Sequence, residues 1–113
     1  MFDVIPTPRF LRQVKKLKKK YKSLSSELTD FGESLSENPT QGTDLGNNTY
    51  KIRLAIESKN SGKSGGARII TYVVTEQKEV YLVSIYDKSE ISTVKNSELK
   101  GMIKEVKEDF DIR

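Results

Sequence analysis

Apolar residues recur at Phe10, Val14, Leu17 and Tyr21, the spacing of one face of a helix. Thr7-Pro8 supplies the start: a threonine oxygen to cap the first free N–H groups and a proline whose fixed φ suits the first turn. The same spacing returns at Leu24, Leu28, Phe31 and Leu35, behind Ser23 or Ser25 as N-cap. It stops before Asn38-Pro39, because proline pushes the preceding residue out of helical geometry. Two helices with so short a link predict an antiparallel hairpin whose apolar stripes face one sheet. The period then changes. Tyr50, Ile52, Leu54 and Ile56 alternate with Lys51, Arg53 and Glu57, the repeat of a strand with one buried face. Residues 67–75 and 80–87 are apolar at nearly consecutive positions, as interior strands are, and form a hairpin around Thr75–Glu79.

Phe2–Ile5 is a short strand candidate, Gln41–Asn48 a polar connector, and Glu57–Gly66 a Ser/Gly/Lys loop. Asn96 or Ser97 can cap a last helix with Leu99, Met102, Ile103, Val106 and Phe110 on one side. The order β-α-α-β-β-β-α predicts an α+β fold. Its N-terminal helical hairpin packs on a small, mainly antiparallel sheet of three to four strands, and a C-terminal helix follows. At 113 residues the chain is expected to form a single domain over 1–113, since halves would bury too little core.

Charge adds a polarity to this plan. Residues 1–22 hold eight Lys or Arg against one acid, and residues 23–49 hold five acids and no cation. A basic arm beside an acidic segment attracts phosphate on one side, and would serve an acidic partner protein equally well. On the strands, Lys51 and Arg53 share one face about 6.5–7 Å apart, two residues at ~3.3 Å rise. Several fixed cations on a sheet face suit a polyanion better than a small neutral metabolite.

Absent residues exclude much chemistry. With no cysteine and no histidine there is no disulfide, no thiolate nucleophile, no Ser-His-Asp triad and no histidine or thiolate metal site. The expectation is therefore no metal and no cofactor, with chemistry left to Lys, Arg, Tyr, Asp and Glu. No apolar run approaches the ~20 residues of a membrane span, so a cytoplasmic protein without a membrane partner is expected. Gly62-Lys63-Ser64 fails as a phosphate-binding loop, because position 57 is glutamate where that motif has glycine and a strand follows where it needs a helix.

Five segments together carry a family resemblance: Phe10…Lys15-Lys-Leu17…Tyr21, Asn38-Pro39…Gly42…Leu45-Gly46, Tyr50-Lys-Ile-Arg-Leu-Ala-Ile56, Ser64-Gly-Gly-Ala-Arg-Ile-Ile-Thr-Tyr72 and Val80-Tyr-Leu-Val-Ser-Ile-Tyr-Asp-Lys-Ser-Glu90. Over nearly the whole chain they resemble the RelE/ParE superfamily, toxins of type II toxin–antitoxin modules. The resemblance implies a ribosome-dependent mRNA endonuclease in which the ribose 2′-OH attacks the adjacent phosphate, without metal. Its partners would be the ribosome, mRNA and a cognate antitoxin that wraps over the basic face or against the C-terminal helix.

Carried over by position, Lys51 and Arg53 match the basic pair on the strand after the helices. Arg68 matches the arginine that contacts the reacting phosphate, and Lys88 the basic position past the last strand, for charge stabilisation or leaving-group protonation. Tyr86 and Glu90 are candidates for acid/base or stacking work. Lys15, Lys18, Lys19, Lys59 and Lys63 are candidates for sequence-independent RNA contacts. The chain departs from the RNA-cleaving pattern after Glu90, where it has neither Tyr nor His and its aromatic is Phe110. Either Tyr86, Lys51 or Glu90 takes the acid/base role, or activity is weak, or the protein is a non-catalytic ParE-like gyrase inhibitor or a degenerate antitoxin-binding member.

Overall fold

The computed structural model describes residues 1–59, 66–91 and 94–112. In chain order it contains β1 (Asp3–Pro6), α1 (Pro8–Lys20), α2 (Leu24–Glu37), β2 (Thr43–Gly46), β3 (Thr49–Leu54), β4 (Ala67–Val74), β5 (Glu79–Asp87) and α3 (Asn96–Asp109). The five strands form one sheet in the order β1-β5-β4-β3-β2. β1 runs parallel to β5, and every other pair is antiparallel. Among the described residues no helix is long and apolar enough to cross a membrane.

The α+β class and the helical hairpin are as the sequence predicts, but the sheet has five strands instead of three to four. The additional one, β2, lies in the segment read as a polar connector. Asn47 (φ 53°) and Asn48 (φ 60°) both take left-handed backbone, which asparagine tolerates better than most residues. A two-residue turn with both φ positive matches strand twist, so β2 folds back onto β3 with Gly46 opposite Thr49.

The hairpin face carries the larger core. Phe10, Val14, Leu17, Leu24, Phe31 and Leu35 pack on Ile52, Leu54, Ile69 and Ile85. Burying a fully enclosed side chain such as Leu24, Leu35 or Ile69 is worth about 1.5–3 kcal/mol. Thr7 caps α1 by accepting from Phe10 N at 3.2 Å, and its hydroxyl donates to Leu82 O at 2.8 Å, so the helix start is tied to β5. β1 reaches only as far as Leu82. Beyond it α1 lies against β5, where Gln13 Oε1 accepts from Ile85 N (2.9 Å) and Ser84 Oγ (3.1 Å) and satisfies an edge that would otherwise be open.

The α2 cap falls on Ser23, one of the two serines expected, whereas the α3 cap is corrected. Ser23 occupies the α2 cap position in helical backbone without making a cap bond; its hydroxyl donates to Glu27 Oε1 at 3.0 Å and accepts from Ser58 N at 2.9 Å instead. α3 begins at Asn96 itself, so Lys95 holds the cap position, and Glu98 reaches back to the Lys95 N–H at 3.4 Å.

On the opposite face α3 covers Tyr72, Val74, Tyr81 and Val83 with Met102 and Val106. Phe110 meets Tyr81 at 4.8 Å between ring centroids. Arg9 grips both oxygens of Glu105 at 3.1 and 3.3 Å, fastening α3 to α1. The helix therefore sits over the Tyr72–Val74 end of β4. The Arg68 end is left to polar and charged residues of the strands.

Candidate functional site

Three of the sequence-predicted site residues form a row across the strands. Arg53 on β3 lies directly opposite Arg68 on β4, which in turn lies opposite Tyr86 on β5. Neighbouring Cα atoms in such a row are about 4.5–5.5 Å apart, so two guanidinium groups and a phenol share a strip roughly 10 Å wide. Lys51 is two residues before Arg53 on the same face, opposite Ile70. Like charges directly opposite one another destabilise a sheet. Such a pair is costly for the fold and favourable for an anion that would bridge it.

The row is graded in depth. Arg53 is exposed and Lys51 half-buried, whereas Arg68 and Tyr86 are only 6 % and 5 % exposed. Arg68 Nη1 donates to Ala67 O at 3.2 Å. Burial raises the Tyr86 phenol pKa, with the Arg68 charge pulling the other way. Tyr86 is therefore protonated at neutral pH and acts as a donor, which removes it as a general base. A buried cation loses less of its field to water than an exposed one, so Arg68 is the stronger electrostatic element of the row.

Lys88 follows β5. Its N–H donates to Gly66 O at 3.1 Å, extending the ladder one step past Ala67 and Asp87. Gly66 is required there, since a Cβ would collide with Leu54 O. The turn that carries Lys88 is built on Asp87, which is 2 % exposed. Asp87 Oδ1 accepts from Ser89 N (2.9 Å) and Ser89 Oγ (2.7 Å), and Oδ2 accepts from Tyr21 OH at 2.6 Å. That bond also holds the Tyr21 hydroxyl proton in place and raises its pKa. The Tyr21–Asp87 strut was not legible as a site feature. Tyr21 reads as an apolar stripe residue, and its partner is 66 positions away.

The remaining candidates are placed elsewhere. Glu90 is exposed and ion-paired with Lys20 Nζ at 3.0 Å, at the end of α1 and outside the cross-strand row. Lys15, Lys18 and Lys19 are exposed on α1, which covers the other face of the sheet, so they do not join the row. Lys63 and the side chain of Lys59 lie outside the described residues.

Residues 7–112 match the family described as the RelE toxin of the RelE/RelB toxin–antitoxin system. The chain belongs to the RelE toxin family. The fold agrees with solved RelE structures. A double arginine-to-alanine variant of E. coli toxin RelE in the free state superposes with a TM-score of 0.58 at 17 % identity, covering 93 % of this chain and 97 % of that one. The isolated E. coli RelE toxin gives 0.57 at 17 % identity, covering 94 % and 99 %. The toxin of the intact E. coli RelBE toxin–antitoxin complex gives 0.55 at 20 % identity, over 77 % of this chain and 96 % of that one. RelE membership agrees with the RelE/ParE resemblance and narrows it to the RelE side.

Proposed function

We propose that this RelE-family chain is a translation-inhibiting toxin that cuts mRNA on the ribosome and is held in check by a cognate antitoxin. The observation that carries the reading is Arg53 standing directly opposite Arg68, with Lys51, Tyr86 and Lys88 around them. In the reaction the ribose 2′-oxygen attacks the adjacent phosphorus, the bond to the 5′-oxygen breaks, and a 2′,3′-cyclic phosphate forms. Negative charge accumulates on the non-bridging oxygens as the fifth bond to phosphorus forms. Arg53 meets it from the solvent side and Arg68 from beneath. Lys88 supplies the proton to the departing 5′-oxygen, and the Tyr86 phenol donates a hydrogen bond. The 2′-OH proton is lost to solvent on the exposed Arg53 side of the row, where Lys51 donates a hydrogen bond to the developing 2′-oxyanion, since Tyr86 is kept protonated and Glu90 is engaged by Lys20.

RelE membership favours this reading over the gyrase-inhibiting alternative. The RelBE complex and the structure of the RelE variant with an antitoxin RelBc peptide support an antitoxin as partner. The test is brief induction in a bacterium with mapping of mRNA 5′ ends, beside the Arg68→Ala variant. New ends confined to translated regions and absent from the variant are expected. Growth arrest without new ends would move the assignment to a non-catalytic toxin.

A further inference from the structure

A second cationic surface lies on the same side of the sheet. α3 turns Lys100, Lys104 and Lys107 toward the β2–β3 turn, one helical stripe at i, i+4 and i+7. Between these lysines and Asn47-Asn48 runs a groove of about 520 Å³ with Tyr72 in its wall. No carboxylate lines it among the described residues. Of the acids of α3, Glu105 pairs with Arg9, Glu105 and Asp109 border a different hollow beside Pro8 and Arg12, Glu98 bonds back to the helix start, and Glu108 follows one turn after Lys104. Like charges three and four residues apart cost a helix stability, and the three lysines leave the groove wall with cations and no carboxylate among the described residues. Lys107 Nζ stands 5.8 Å from the Tyr72 ring centroid, which steadies its position.

The groove and the row lie along the same strand, β3. Thr49 lines it, and the next residues on that face of β3 are Lys51 and then Arg53, about 13 Å along the strand at ~3.3 Å per residue. We propose that this groove is an RNA subsite. It seats the sugar–phosphate backbone of the single-stranded mRNA segment adjoining the step held at Arg53 and Arg68. The lysines take phosphates, while the amides of Asn47 and Asn48 bond ribose and base edges. This inference rests on the mRNA-cleaving reading of the row. Charge and the shared strand favour RNA over an acidic peptide, whose binding is an outcome of the test.

The experiment measures binding of fully 2′-O-methylated single-stranded RNA, three or nine nucleotides long, to the full chain at several salt concentrations. The unaltered protein is compared with a Lys100→Gln/Lys104→Gln/Lys107→Gln variant and with Arg53→Gln, each checked by thermal melting. Three lost phosphate contacts reduce the slope of log affinity against log salt by about two for the nine-mer, at ~0.7 each, and leave the three-mer unchanged. An unchanged nine-mer slope in the triple variant overturns the subsite. So does a triple variant that has lost only its grip on a purified acidic antitoxin. A reduced slope in the triple variant with full binding by Arg53→Gln leaves the groove standing and removes the row. Absence of RNA binding by the unaltered protein overturns the groove, and the row is then decided by cleavage on the ribosome.

Discussion

Under the α1–α2 hairpin, Ile52, Leu54, Ile69 and Ile85 meet Leu24, Phe31 and Leu35, and apolar area is removed from water at every position of the interface. On the reverse of the same strands, Arg53 faces Arg68, and Lys51 is one pleat away. The first arrangement is what folding free energy selects. The second opposes it, because two cations side by side repel. One sheet therefore spends stability on one face that it gained on the other. The difference marks the candidate site more sharply than total charge does: α1 holds more cations, but most of them are exposed and spread over a helix.

Substitutions on the two faces are expected to separate stability from activity. Leu35→Ala leaves a cavity in the hairpin core and lowers unfolding free energy by about 2–5 kcal/mol. Chemical denaturation reads this loss, and cleavage per folded molecule stays unchanged. Arg53→Met does the reverse. Loss of one preorganised charge slows mRNA cleavage by about 10²–10³-fold. Relief of the cation pair raises stability by about 0.2–1 kcal/mol. A fall in both quantities would merge the two faces into one structural role.

Two smaller effects sharpen the comparison within the core. Burial, aided by donation to Glu79 Oε1 at 2.9 Å, raises the Tyr81 phenol to about 12. The unfolded chain releases that proton near pH ~10. The corresponding stability is whole below the unfolded value and is lost as pH climbs from 10 toward 12. Denaturation midpoints are expected to fall over that window, and Tyr81→Phe to flatten the fall. Thr71 is fully buried and its Oγ1 has no hydrogen-bond partner among the described residues. Thr71→Val keeps the shape, drops the orphaned hydroxyl and raises stability by about 1 kcal/mol. Calorimetry reads it as a rise of several degrees in Tm.

What could be read from the chain follows from how local the signals are. The 3.6-residue stripes of α1 and α2 and the alternation through β3 depend on nearest neighbours in sequence, so they predict both the elements and the face on which Lys51 and Arg53 emerge. β2 was missed because its signal is a pair of asparagines in left-handed backbone, weaker than an Asn-Gly turn. The pairing of Arg53 with Arg68 needs strand register, which alternation alone does not supply. The Tyr21–Asp87 strut and the facing of Lys100, Lys104 and Lys107 toward Asn47-Asn48 join residues about fifty or more positions apart. Only the folded chain brings them together.

The most direct measurement of the central claim is single-turnover cleavage of a codon in the A site of purified, programmed ribosomes. It compares the unaltered toxin with Arg53→Ala and Arg68→Ala proteins of matched melting temperature. Cutting by the unaltered toxin and a loss of about 10²-fold or more in each variant is the expected result. Equal rates in all three, or no cutting by the unaltered protein, would contradict the assignment of this sheet face as an RNA-cleaving site.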